Sequence, residues 1–222
     1  MAKYATWAAV AAGLGLVGLG LAAGCSDPES KIQSADAKTR IEGIKELAKR
    51  QTDQAVQKIA EGVNDRDETV ACEVVRALAT IQRPAARKVL RDVATTDKRA
   101  VVRQVAVSQY GAFQESLGTL RDTARLDEDP AVRREAVDGF VRQRSLADVP
   151  LLVEIAETEQ DLAVQARAVN AIERLVGIQY GFDPKAPLAA RKKALERIRS
   201  QAIRMAAARE AYEKDGTKSK DQ

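Results

Sequence analysis

The sequence predicts an all-α fold: a right-handed solenoid of about five stacked helix pairs, preceded by an N-terminal signal or anchor helix. Three observations predict it. Charged residues of both signs (31% of 222 residues) alternate with Ala-, Val- and Leu-rich runs, while aromatics make up 4% and prolines number six. That composition suits many helices broken by short turns better than a sheet. A pattern of small and large apolar residues recurs every 30 to 32 residues from Thr39 onward. Before it, Ala5 to Gly24 carries no charge.

Lys3 and the terminal amine make a short positive region ahead of that apolar run, the layout of a secretory leader. Its end, Leu21-Ala22-Ala23-Gly24-Cys25, resembles the bacterial lipobox, although Leu21 stands one position earlier than the usual leucine. The resemblance implies cleavage after residue 24, a covalent lipid on Cys25, and a protein held at the cell membrane or outer membrane, exposed outside the cytoplasm. The alternative is an uncleaved transmembrane helix, since Ala5 to Gly24 is near the minimum span. Both readings anchor the chain. Residues 25–34, polar and containing Pro28, read as a tether.

The repeat region follows over 35–202, in units at 35–64, 65–96, 97–126, 127–158 and 159–202. First helices begin near Thr39, Val70, Val102, Val132 and Val164, at offsets of 31, 32, 30 and 32 residues. Four residues on from each stand Gly43, Val74, Ala106, Ala136 and Ala168; eight on stand Leu47, Leu78, Tyr110, Phe140 and Ile172. Positions i, i+4 and i+8 share one helix face, and the slim middle residue admits a neighbouring helix. Asp36, Asp67, Asp129 and Asp161 each precede a stripe by three residues, as N-caps do. The third unit has Arg99 there and Asp97 two residues earlier, so its helix is expected to start sooner or to fray. Second stripes follow at Ile59 and Val63, Leu90 and Ala94, Leu120 and Ala124, and Leu152 and Ala156. From first to second anchor the separation is 12 residues in three units but 10 from Tyr110 to Leu120, which places a deletion in the turn around Gly111. Residues 203–222 are expected to be an extension of the last helix, ending in a disordered tail from Asp215.

Val132-Arg133-Arg134-Glu135-Ala136-Val137-Asp138-Gly139-Phe140 and Val164 to Ile172 resemble the first-helix pattern of HEAT repeats, notably the short bacterial variety seen in phycocyanobilin-lyase-like proteins. Tyr180-Gly181-Phe182-Asp183-Pro184, ahead of a basic helix with Arg191 and Ala194, is similar to the closing module of bacterial envelope HEAT proteins. Tetratricopeptide repeats are excluded, because their 34-residue period and Trp/Gly/Tyr pattern are absent. The resemblance implies a protein-binding scaffold; for part of the family it implies a bilin lyase.

The residues argue against catalysis. With no histidine, the commonest general base and metal ligand is missing. The two cysteines, Cys25 and Cys72, are too few and too far apart for a zinc site or a disulfide framework, and Cys72 falls in an apolar helix as a buried thiol. No Gly-rich phosphate loop follows the leader. No catalytic residue, metal ligand, cofactor or small-molecule substrate is therefore expected, and a net charge of +4 is too mild to imply nucleic acid. Binding is expected on the second helices, where Arg83, Arg87, Lys88, Arg91, Arg121 and Arg125 belong to a basic stretch suited to a protein partner with an acidic surface. A third reading is a membrane-associating structural element, with the basic C-terminal helix adsorbing to anionic lipid.

Overall fold

The computed structural model describes residues 27–218, with side chains through residue 212. The expected leader at 1–24 and the expected lipidation site, Cys25, lie outside the described residues. Within them the chain is helical and has no strand. A one-turn helix α1 (Pro28–Lys31) precedes four helix pairs: α2 (Ala37–Ala48) with α3 (Asp53–Glu61), α4 (Glu68–Ala79) with α5 (Pro84–Thr96), α6 (Ala100–Tyr110) with α7 (Leu117–Leu126), and α8 (Pro130–Arg142) with α9 (Val149–Thr158). The fifth unit is α10 (Leu162–Val176) and the long α11 (Leu188–Lys218), so Asp215 to Lys218 is helical where a disordered tail was expected.

The predicted stripes form the core. Leu47, Leu78, Phe140 and Ile172 are at most 1% exposed and Tyr110 4%; Ile59, Leu90, Leu120 and Leu152 opposite them are also at most 1% exposed. First helices pack on first helices (α2, α4, α6, α8, α10) and second helices on second helices (α3, α5, α7, α9), so each pair covers its apolar side with the next. The slim positions are equally buried, with Val74, Ala106, Ala136 and Ala168 all at 0%. The Asp caps form as the spacing predicts: Asp36 accepts the Thr39 amide at 2.8 Å, Asp67 that of Thr69 at 2.8 Å, Asp129 that of Ala131 at 2.8 Å, and Asp161 those of Ala163 and Val164 at 2.9 Å.

Three further expectations are corrected. The span 25–34 is not simply a tether, because α1 docks on the outer face of α2. Lys31 Nζ lies 2.6 Å from Glu46, and Arg50 reaches Asp27 (3.4 Å) and Glu29 (3.1 Å). A Cβ on Gly43 would stand 2.7 Å from Lys31 Cβ and 2.8 Å from the Pro28 carbonyl oxygen, so the slim residue of the first unit admits α1. The two residues missing from the third unit are not taken from its turn. Six residues (111–116) join α6 to α7 against four (80–83) between α4 and α5, while α6 ends at Tyr110 itself and α7 begins only three residues before Leu120. The helix ends were shortened instead. Finally, α6 starts neither sooner nor with a side-chain cap: Arg99 occupies its N-cap and serves elsewhere, as described below.

The last unit also departs from the others. Its first helix closes at Gly177 in the left-handed region (φ 77°), where an L side chain is disfavoured. The segment 178–187 then leads back along the unit, held by the Tyr180 amide on buried Glu173 (2.7 Å) and by Arg197 on the Tyr180 carbonyl (2.5 Å). Arg191 meets Gln165 near the start of α10 (3.0 Å), and Arg209 meets the Leu175 carbonyl near its end (3.0 Å). So α11 runs alongside α10 in the same direction, whereas earlier second helices double back. It covers the end of the stack with Leu195, Ile198, Ala202 and Ala206, each at most 6% exposed.

Candidate interaction surface

Two edges and one flank of the stack are built from repeating polar contacts. On one edge lie the loops between units. In each, a carboxylate accepts the backbone amide two residues on: Asp65 from Asp67, Asp97 from Arg99, Asp127 from Asp129 and Glu159 from Asp161, at 2.8–2.9 Å. An arginine from the preceding first helix grips it with two N–H groups: Arg40 on Asp65 (2.7 and 2.9 Å), Arg103 on Asp127 (2.9 and 2.9 Å), and Arg133 on Glu159 (2.8 and 3.0 Å). Each guanidinium also donates Nη1 to two carbonyls of the loop before its own helix, for Arg133 those of Asp127 (2.8 Å) and Glu128 (3.2 Å). One buried side chain thereby ties two successive loops together.

The second unit has Ala71 at the arginine position, and there Arg99 stands in from the next unit. It holds Asp97 (2.8 Å) while donating to the carbonyls of Val63 (2.6 Å) and Asp65 (3.0 Å). This is why the third unit lacks an Asp cap. Burial opposes the charged forms of Asp65, Asp97 and Glu159, but the arginine and amide hydrogen bonds outweigh it, and all three carboxyls titrate below their ordinary range. The sequence reading missed this ladder, although its carboxylates recur at 65, 97, 127 and 159 in step with the unit.

On the opposite edge lie the turns within units, linked by glutamines. Gln51, at φ 52°, donates Nε2 to the Thr80 carbonyl (3.2 Å) and accepts the Gln82 amide (2.9 Å); Gln143 donates to the carbonyls of Gly111 (2.9 Å) and Phe113 (2.6 Å).

The six basic residues expected to bind a partner all fall on or beside the second helices, which form one flank. Most are engaged within the chain. Arg87 pairs with Glu115 (2.8 Å) and stacks over Phe113 (5.5 Å to the ring centre). Arg121 pairs with buried Asp148 (2.6 Å), Arg125 with Glu154 (2.7 Å), and Arg83 donates to the Gln51 carbonyl (2.8 Å). These contacts tie second helices to the turns and helices of neighbouring units, so that much of the basic surplus stabilises the stack. Lys88 and Arg91 face solvent from α5; Arg91 is half exposed and meets only its neighbour Asp92 (3.3 Å). Between the lower ends of α7 and α9 opens a groove of about 480 Å³, lined by Arg125, Leu126, Ile155 and Thr158 among others, with Leu126 itself 77% exposed at its rim.

Among the described residues no group of three or more Cys, Asp or Glu side chains is placed to hold a metal ion, and no helix is long and apolar enough to cross a membrane. Cys72 is buried, which pushes its thiol above the usual range.

A family model described as HEAT repeats matches residues 29–111, from α1 through α6. This supports a HEAT-repeat protein. Two solved structures similar to the chain are crystal structures of engineered proteins. One is 17% identical, with a TM-score of 0.43 over 82% of this chain and 95% of that one; the other is 15% identical, with a TM-score of 0.31 over 81% of this chain and 66% of that one. No curated protein matches.

Proposed function

We propose that the chain is a non-catalytic scaffold that binds another protein along its second-helix flank and is held at the bacterial cell envelope by a lipid on Cys25. The observation that carries the binding half is the continuous flank of α3, α5, α7 and α9. It offers an open groove, an exposed Leu126 and the solvent-facing cations Lys88 and Arg91, features suited to an extended or helical segment with acidic side chains. Arg87, Arg121 and Arg125 keep the flank's shape rather than meeting the partner. The tether half rests on the Leu21 to Cys25 motif alone.

Crosslinking of the native protein in membranes tests the first half: one stoichiometric protein partner is expected, lost in Lys88→Glu with Arg91→Glu while the fold is retained. Mass spectrometry of the mature N-terminus tests the second, with an acylated Cys25 expected and an intact Met1 refuting it.

A further inference from the structure

Both ends of the described chain emerge on one edge of the stack, the edge of the within-unit turns. Asp27 is pinned to Arg50, which follows α2, and Arg209 of α11 is pinned to the end of α10. A single residue, Ser26, separates Cys25 from Asp27. At about 3.5 Å per residue, a lipid on Cys25 would hold this edge within ~10 Å of the headgroups.

The same edge carries a groove of about 190 Å³ between the α8–α9 turn and the ends of α10 and α11, lined by Val141, Arg144, Leu146, Arg174, Leu175 and Arg209. No carboxylate lines it. Arg144 and Arg174 are exposed, and neither has an ion pair among the described residues, unlike the arginines of the flank. Arg144 also sits at φ 53°, in the left-handed region that L residues rarely adopt. Next to the groove α11 presents Met205 (42% exposed) and Tyr212 (80% exposed), and the helix continues to Lys218. Paired cations beside an exposed aromatic and a thioether suit the boundary between headgroup and acyl chain. The opposite edge offers no such surplus, because Arg40, Arg103 and Arg133 there are each spent on a loop carboxylate, Asp65, Asp127 and Glu159.

We propose that Arg144 and Arg174 receive the phosphate of an anionic lipid headgroup, so that the turn edge faces the bilayer and the edge of the between-unit loops faces away. The proposal rests on the tether reading, and its test separates the two. The full, processed chain carries Cys72→Ala and a fluorophore at either Ala147→Cys, on the turn edge, or Gln160→Cys, on the edge of the between-unit loops. It is added to vesicles of phosphatidylcholine alone or with phosphatidylglycerol. Sedimentation with phosphatidylcholine alone reports the acyl anchor; its loss refutes the tether. With phosphatidylglycerol the probe at 147 should be shielded from an aqueous quencher while that at 160 stays open, and Arg144→Gln or Arg174→Gln should each lower this preference about fivefold, with Lys38→Gln as the inert control. Equal quenching at both sites in a chain that still sediments overturns the lipid site and leaves the tether standing. Shielding at 147 by inorganic phosphate, or only after a protein is added, overturns it in favour of a soluble anion or a protein surface.

Discussion

Replacing Arg133 by methionine isolates what the loop ladder contributes. The variant keeps most of the side chain's volume and apolar stem, and deletes two hydrogen bonds to Glu159 and two to loop carbonyls. Glu159 is left with a side chain only 10% exposed and no cation. Breaking a buried pair by removing one partner costs about 3–5 kcal/mol. The remaining Gln160 and Asp161 amides still serve Glu159, and the Arg133 side chain is 15% exposed, which together favour the lower end, about 3 kcal/mol. Adding Glu159→Gln removes the stranded charge and should restore about half of that loss. The sign with pH follows from Glu159, whose folded carboxyl titrates below its unfolded value. Its stabilisation is present above the unfolded value and is lost as pH falls through the folded one, while protonation relieves the stranded carboxylate in the variant. The deficit should therefore be largest at neutral pH and shrink below about pH 4. Urea denaturation followed by helical circular dichroism, at pH 7 and in acid, measures it. A loss under ~1 kcal/mol at pH 7, or a double variant no better than the single one, would refute the ladder as a buried, coupled contact.

Other substitutions probe single positions. Gly43→Ala forces α1 off α2 and should cost about 2 kcal/mol while exposing the bond near Lys31 to trypsin; unchanged proteolysis would count against docking. The Tyr180 hydroxyl is buried without a partner, so Tyr180→Phe should raise stability by about 1 kcal/mol, and a marked loss in thermal unfolding would reveal a hidden acceptor. The Cys72 thiol should react with a maleimide only as fast as the stack opens, rising with urea in step with unfolding; fast labelling of the native chain would contradict its burial.

Much of this architecture is written in local spacing. Leu47, Leu78, Tyr110, Phe140 and Ile172 recur in step because each must face the same neighbour in the next unit, and the Asp caps recur because each first helix begins with unpaired amides. The ladder is equally periodic but hides among many charges, since nothing in a sequence separates a gripped Asp65 from a solvated acid until Arg40 is seen against it. Docking of α1 was illegible for a different reason: four residues are too few for a helical period, and only Gly43 marks the contact. The basic stretch of α5 and α7 was read correctly in position, but its charges answer acids from neighbouring turns and helices some 30 residues away. The deletion in the third unit was assigned to its turn because sequence offsets show how many residues are missing, not which side of a helix end lost them.

The direction of α11 limits how such a chain can change length. A further unit fused beyond it would meet exposed Lys192 and Lys193 on a helix set against the prevailing polarity, not the seam that interior units share. Copies spliced between interior units would meet seams of the kind they already make. Lengthening or shortening by duplication is thus confined to the middle of the array, with the two termini travelling as fixed end pieces.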